Sequence, residues 1–384
     1  MDFNLTSEQE LLRKTVREFA EQEIKPRAFE LNEKEECSIE IIHKMGDLGL
    51  MGMTVSSEYG GQGFDPLSYI IAVEEMARVD GSHAATVAAH NGLGLGPLFN
   101  FGNEQQKREY LPDLCAGRAL WGFGLTEPEA GSDAGSSQTT AKLAHGEWLI
   151  NGQKIFITNA STSMTRGSTV QAVTGRCPEG YPEMSCILVE QTRAGFTAKP
   201  MHHKMVWRAS NTSELYFEDV RVPEVNLLGR RGEGFKMMLQ TLDGGRLAIA
   251  AMGLGGAQGA LEEALKYSQQ RKTFGKPLVE HQTIAFYLAE MQTEIEAARS
   301  LLYRACWLKS CGEPFGHMAA MAKLYCSEVM KRVVHKAVQI HGGYGLMEEF
   351  PVARFYRDQR LLEIGEGTSE VQKMVISRHL LKGQ

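Results

Sequence analysis

The chain has 384 residues, 43% hydrophobic and 23% charged, with a formal charge of −6 from 41 basic and 47 acidic side chains. At roughly 150 residues per domain this length allows two or three domains and a large core. The balance argues against disorder, and the mild acidity offers no general electrostatic attraction for nucleic acid.

The N-terminus, MDFNLTSEQELL, lacks the basic-then-apolar pattern of a signal peptide. The uncharged run Leu247–Leu261 is shorter than the ~18–20 apolar residues of a membrane span. The seven cysteines are scattered, with no Cys-x-x-Cys pair, so neither a disulfide framework nor a zinc or other metal site is expected. A reducing compartment fits: bacterial cytoplasm, with a processed mitochondrial matrix protein as the alternative. The oddity is glycine, 40 residues, about 10% against a usual ~7%.

Residues 1–118 read as an all-α domain. Ser7 and Glu10 have capping-box spacing, Leu12, Val16, Phe19 and Ile24 recur at helical intervals, and Pro26 closes the run. Further helical segments cover 41–48, 67–78 and 104–111. From 119 to 230 the apolar runs are short and β-branched, which predicts a middle β domain. Asn151–Gly152 between two strand-like runs predicts a hairpin turn. From 231 to 384 the pattern is helical again, with a stripe of Ile284, Tyr287, Leu288, Met291, Ile295, Ala298 and Leu302. Segregated α, β and α regions predict an α+β protein and argue against a doubly wound sheet.

Two glycine runs, GLGLG (92–96) and GLGGAQG (253–259), fail the G-x-G-x-x-G pattern and follow no strand, so close helix packing or a pocket wall is the expectation. Other segments carry more chemistry. LTEPEAGSDAGS (125–136) offers small residues and hydroxyls that let backbone N–H groups approach a phosphate or ring edge. QIHGGYG (339–345) allows a sharp turn after a helix. In EIGEGTSE (363–370), Glu366 is flanked by glycines, where a carboxylate can swing into an apolar pocket as a general base. Arg271, Phe274 and Gln282 supply a guanidinium fork, a ring face and an amide.

Together and in this order these segments resemble the acyl-CoA dehydrogenases, flavoproteins that desaturate acyl-CoA thioesters. The resemblance covers nearly the whole chain, including SEQELLRKTVREFAEQEI, TVSSEYGGQG (54–63), FITNA, WRASNTSELYFEDVRVP (207–223), RKTFGKPL and QIHGGYGLMEEFPVARFYRD. Its GEGTS base motif is that of the butyryl or short-chain branch. The implied fold is an N-terminal helical domain, a middle β-barrel or sandwich domain and a C-terminal four-helix bundle.

The resemblance implies FAD between the β domain and the bundle. Leu125, Thr126, Gly131 and Ser132 would contact the flavin and its phosphates, and Phe156, Ile157 and Thr158 would border the ring. Arg271, Thr273, Phe274, Gln282, Gln339, Gly342 and Gly343 match positions that reach the FAD of a neighbouring subunit, which implies a homotetramer built as a dimer of dimers. Thr368 and Glu370 match further cofactor contacts. Glu366 matches the base that takes the α-proton while a β-hydride passes to flavin N5. Its backbone N–H and a ribityl hydroxyl would polarise the thioester carbonyl. Ser132, Gly365 and Gly367 would border the substrate. Asp243 and Arg246 match residues at the adenine end of CoA. Electron transfer flavoprotein is the implied electron acceptor.

Some branches carry the base at the position of Gly245, which here cannot act. Gly365 stands where many members have Tyr. With Gly92, Gly94, Gly96 and Gly244 these deletions of side-chain volume predict a wide, short pocket for a branched, cyclic or aryl acyl group, into which Asn91 projects its amide. The alternatives are a straight short-chain dehydrogenase, a relative acting as an oxidase or eliminating something besides hydride, and a flavin-binding scaffold without turnover. Val206, where related patterns carry Gly, has no functional explanation.

Overall fold

The computed structural model describes residues 4–382. Seven helices come first: α1 (Ser7–Phe19), α2 (Ala28–Lys34), α3 (Ile39–Asp47), α4 (Pro66–Ala77), α5 (Gly81–Ala89), α6 (Gly96–Phe101) and α7 (Glu104–Cys115). The capping box at α1 sits one residue earlier than Ser7–Glu10 suggests. The Thr6 hydroxyl accepts from Gln9 N at 3.2 Å, and the Gln9 side chain accepts from Thr6 N at 3.1 Å. Threonine and glutamine serve the same two orphan N–H groups as well as serine and glutamate. Segments Ala20–Ile24 and His90–Leu95 are π-helical, a wound-out geometry frequent beside functional sites.

Strands follow: β1 (Leu120–Gly124), β2 (Thr140–Ala144), β3 (Glu147–Thr158), β4 (Thr165–Arg176), β5 (Pro182–Glu190), β6 (Phe196–Pro200), β7 (Thr212–Pro223) and β8 (Leu227–Leu228). They form one mixed sheet in the order β6-β7-β3-β2-β4-β5-β8, with β1 beside β4. β1 and β2 pair with β4 in parallel, and the remaining pairs are antiparallel.

Asn151–Gly152 is not a hairpin turn. β3 runs straight through it, and the register against β7 shifts between Ile150 and Gly152. Gly152 has φ 141°, and a Cβ there would lie 2.7 Å from Thr139. The Asn151 side chain bonds Asp219 twice across the strands. The dipeptide therefore lies opposite a bulge on β7, where Glu218 and Asp219 together face Asn151. The two-residue hairpin turn is His145–Gly146, both at positive φ, between β2 and β3.

The last region holds α8 (Gly234–Gln270), the small ribbon β9 (Lys272–Thr273) and β10 (Lys276–Pro277), then α9 (Gln282–Ser310), α10 (Gly316–His341), α11 (Pro351–Leu362) and α12 (Ser369–Lys382). Of the α9 stripe, Met291, Ile295, Ala298 and Leu302 are fully buried.

The two helical regions share one core. Val16, Ile41 and Val73 belong to the same apolar cluster as Leu254, Ile295, Val333 and Phe355. The sheet has its own cluster around Trp148, Ile187 and Phe217, and a third joins Leu98 and Leu114 to Trp121 and Met237. The GLGGAQG run explains how α4 and α8 approach so closely. A Cβ on Gly255 would lie 2.1 Å from Glu74 O, and one on Gly259 would lie 2.0 Å from Arg78 O. Ion pairs also tie α4 to its neighbours: Glu74 to Arg299 of α9 at 3.0 Å and Arg78 to Glu262 of α8 at 2.7 Å.

Candidate active site

Glu366 lies in the turn between α11 and α12. Its φ is 52° and that of Gly367 is 91°, so two successive residues are left-handed and one of them bears a side chain. Such strain persists only where the surroundings over-determine it, and it clusters at functional sites. Three contacts hold this turn. Lys323, fully buried on α10, donates from Nζ to Gly367 O at 2.7 Å. Gln372, fully buried on α12, donates to Gly367 O at 2.8 Å and to Glu366 O at 3.2 Å. Ser369 N closes back to Glu363 O at 3.0 Å. Thr368 is the N-cap of α12, accepting from Val371 N at 3.3 Å.

The Glu366 side chain packs on α8 over Gly245, where a Cβ would lie 1.9 Å from Oε2. Leu93, from the π-helical segment, closes the same spot, and a Cβ on Gly92 would lie 3.6 Å from the hydroxyl of buried Tyr69 and 4.0 Å from Gly245. Oε2 is buried without a hydrogen-bond partner among the described residues. Burial pushes the carboxyl up to about 7, against the pull of Lys323 and Arg246. That poises it to accept a proton near neutrality. Among the described residues the Glu366 N–H also lacks an intramolecular acceptor, which leaves it free for a ligand oxygen.

Arg246 differs from expectation. It is only 6% exposed, pairs with Asp243 at 2.5 Å and acts on Glu366 electrostatically. It therefore lies beside the base, not at a solvent-facing adenine end. Asn91 differs too. Fully buried, it donates to Leu50 O at 2.8 Å and Val87 O at 3.1 Å and accepts from Met53 N at 2.8 Å. Its amide is consumed by the backbone around the π-helical turn and does not reach into a pocket.

The segment 125–136 leaves the end of β1. Its shape rests on a buried ion pair that the sequence reading missed, Glu127 with Lys154 at 2.7 Å. Lys154 Nζ also donates to Leu125 O and Ser137 Oγ at 3.1 Å each, and Glu127 accepts from Ser137 Oγ, Gln138 N and Thr139 N. Burial opposes ionisation, yet the ammonium and these donors hold the Glu127 carboxyl well below the usual range. Beyond this anchor Gly131 and Ser132 are exposed, and a Cβ on Gly131 would meet open space. At the end of β3, Phe156 is left-handed at φ 61° and 62% exposed, beside buried Ile157 and the register shift between Lys154 and Ile157. The hydroxyls of Thr126, Ser132 and Thr158 have no intramolecular partner among the described residues. Leu125 packs in the same cluster as Leu93, which ties this wall to Glu366.

The other expected cofactor residues lie elsewhere. Arg271, Thr273 and Phe274 follow the C-terminal end of α8, and Gln282 opens α9. Gln339, Gly342 and Gly343 end α10, joined to α8 by the stacked rings of Tyr267 and His341, 4.3 Å apart. From Lys323 to Gln339 is sixteen residues of one helix, about 24 Å at ~1.5 Å per residue. Within one protomer this group is far from Glu366. It is open to solvent, with Phe274 97% exposed at φ 50°.

Comparison with known proteins decides the family. Models of the acyl-CoA dehydrogenase N-terminal, middle and C-terminal domains match residues 6–118, 122–220 and 232–381. The chain belongs to the acyl-CoA dehydrogenase family. It is 47% identical over 382 residues to a short-chain specific acyl-CoA dehydrogenase of Clostridium acetobutylicum, with all of both chains covered. Butyryl-CoA dehydrogenase from Megasphaera elsdenii is 44% identical with TM-score 0.95, over 99% of this chain and 100% of that one. A chain from a structure described as electron transferring flavoprotein of Acidaminococcus fermentans gives 43% and 0.96 over the full length of both. No helix among the described residues is long and apolar enough to cross a membrane.

Proposed function

We propose that this dehydrogenase removes two hydrogens from Cα and Cβ of a short, straight-chain acyl-CoA thioester, with Glu366 as the base. The observation that carries this is the Glu366 carboxylate itself: buried over Gly245, its Oε2 without a partner, on a turn fixed by Lys323 and Gln372.

The donor set fits FAD. Unpaired hydroxyls at Thr126, Ser132 and Thr158, the open backbone at Gly131 and the outward ring of Phe156 would hold its phosphates and ring. FAD, when bound, supplies acceptance of the β-hydride. Glu366 takes the α-proton on Oε2, and its own N–H holds the thioester oxygen as negative charge develops there. Leu93, Tyr69 and the α8 backbone at Gly245 keep water away, so the carboxylate is a stronger base than in solvent.

The glycines expected to widen the acyl pocket support a narrower one. The place of a Gly245 side chain is taken by Glu366, and that of a Gly365 side chain by Leu361, 2.9 Å from a Cβ there. A Cβ on Gly94 would lie 2.7 Å from Trp121 O, whereas one on Gly244 would be in ordinary contact with Lys309 Nζ at 3.4 Å. Three of the six positions, Gly94, Gly245 and Gly365, are thus filled by neighbouring groups, which favours a straight short acyl chain over a branched, cyclic or aryl one.

Exposure of Phe274, Gly342 and Gly343, remote from Glu366, supports assembly as a homotetramer in which a second subunit completes each cofactor site. Electron transfer flavoprotein is the proposed acceptor and bacterial cytoplasm the proposed location. Turnover of butyryl-, octanoyl-, cyclohexanecarboxyl- and aryl-substituted CoA esters with an artificial acceptor tests the substrate. Preference for butyryl-CoA is expected, and preference for a cyclic or aryl ester would overturn it.

A further inference from the structure

One face of α10 underlies the whole base turn. Lys323, Ser327 and Lys331 recur every fourth residue and so stack on one side of the helix. Lys331 Nζ bonds the Glu363 carboxylate at 3.0 Å, Ser327 Oγ bonds Leu362 O at 3.0 Å, and Lys323 Nζ bonds Gly367 O at 2.7 Å. The row therefore tracks the chain from the end of α11 to the residue after the base. Lys331 is half-exposed and Lys323 fully buried. A buried ammonium has three donors, and a single carbonyl is a poor counter-group for it. Gly367 O has a second donor in Gln372, so holding the turn does not by itself require a charge at position 323.

We propose that Lys323 is a positioning residue for the reaction, a buried cation on α10 that clamps the left-handed Glu366–Gly367 turn and holds the Glu366 carboxylate in its ionised, proton-accepting form. The inference rests on Glu366 being the base. The charged and titratable groups around that carboxylate are Lys323 on α10, Arg246 on α8 with its partner Asp243, and the Tyr69 phenol on α4. Lys323 in turn feels Glu363 at the end of α11 and Glu370 on α12. Both cations act on Glu366, Lys323 more strongly than Arg246, and Arg246 is also bonded to Asp243 whereas Lys323 has no carboxylate bonded to it among the described residues. Burial draws Lys323 itself down to about 8, so the cation is present through the neutral range.

The test uses the FAD-loaded enzyme with three variants. Lys323→Gln removes the charge and keeps a donor for Gly367 O. Lys323→Met removes both. Gln372→Leu removes the neutral hydrogen bonds to the same carbonyls and keeps the charge. Two readouts are taken, the acid limb of kcat/KM and an infrared titration of the Glu366 carboxyl band, identified by its loss in Glu366→Gln. Both Lys323 variants are expected to move the limb and the band upward by about one pH unit or more, and Gln372→Leu to leave both in place. An unmoved limb and band in Lys323→Gln, or an equal shift in Gln372→Leu, would overturn the proposal. If Glu366→Gln still dehydrogenates substrate, the base assignment falls and the proposal with it. An inactive Glu366→Gln beside an unmoved Lys323→Gln overturns the proposal alone.

Discussion

The Glu366 carboxylate occupies the volume that a side chain at Gly245 would fill, with Oε2 1.9 Å from the place of the missing Cβ. A glycine on α8 is thus what lets a carboxylate from the α11–α12 turn sit there, as the proposed base role requires. Gly245→Ala is expected to leave the fold intact and push the carboxylate off its position. A misplacement of ~1 Å can cost about 100-fold, so kcat should fall 10- to 100-fold by that order of estimate. Steady-state kinetics, with circular dichroism as the folding control, check this. Unchanged kcat would show that the carboxylate works from another position.

On the proposed base role, protonation of Glu366 sets the acid limb of activity. The carboxyl, raised by burial to about 7, must be ionised to act, so kcat/KM should fall tenfold per pH unit on the acid side of about 7 and level off above it. A limb near 4.5 in the free enzyme would contradict the burial seen here.

Asp358 is raised in the same direction, and its stability prediction runs the opposite way with pH. Its Oδ1 accepts from Trp207 N at 2.9 Å, while Oδ2 is buried without a hydrogen-bond partner among the described residues. Burial, with the repulsion of Asp80, raises the carboxyl to about 7 against the pull of Arg354 and Arg357. The folded state then holds a proton that the unfolded state loses near pH 4, so stability drains away as pH rises from about 4 to 7. Asp358→Asn keeps the acceptor and removes the charge. Its Tm should match wild type at pH 4 and exceed it by a few degrees at pH 8. A lower Tm at pH 8 would show the ionised form to be stabilising.

Glu127 anchors the 125–136 wall. Glu127→Ala would strand Lys154, which is fully buried, and such losses cost about 3–5 kcal/mol. The loop should loosen and FAD retention after gel filtration, read from absorbance, should drop well below wild type. Full retention would mean that the loop is held by other contacts.

Much of this was legible in the sequence, for definite reasons. Glu366 between two glycines, the segregated α–β–α order and the family motifs are local signals. The misreadings arose where a local signal met a tertiary contact. Asn151–Gly152 has turn chemistry, yet Asn151 finds Asp219 on β7 and the strand continues. Asn91 looked like a pocket polar group, but Leu50 and Met53 from another segment and Val87 one turn back consume it. Three glycines expected to empty a pocket, Gly94, Gly245 and Gly365, are instead where other groups come close. Lys323 left one readable trace, a charge within the buried stripe of Met318, Ala319, Ala322 and Cys326.

The central claim is that Glu366 removes the α-proton. Its most direct test is exchange of the substrate α-hydrogen with deuterated water, followed by proton NMR on FAD-loaded wild type and Glu366→Gln with a non-oxidisable acyl-CoA analogue. The account predicts exchange in wild type that disappears in Glu366→Gln while the flavin absorbance remains. Exchange at the wild-type rate in Glu366→Gln would contradict it.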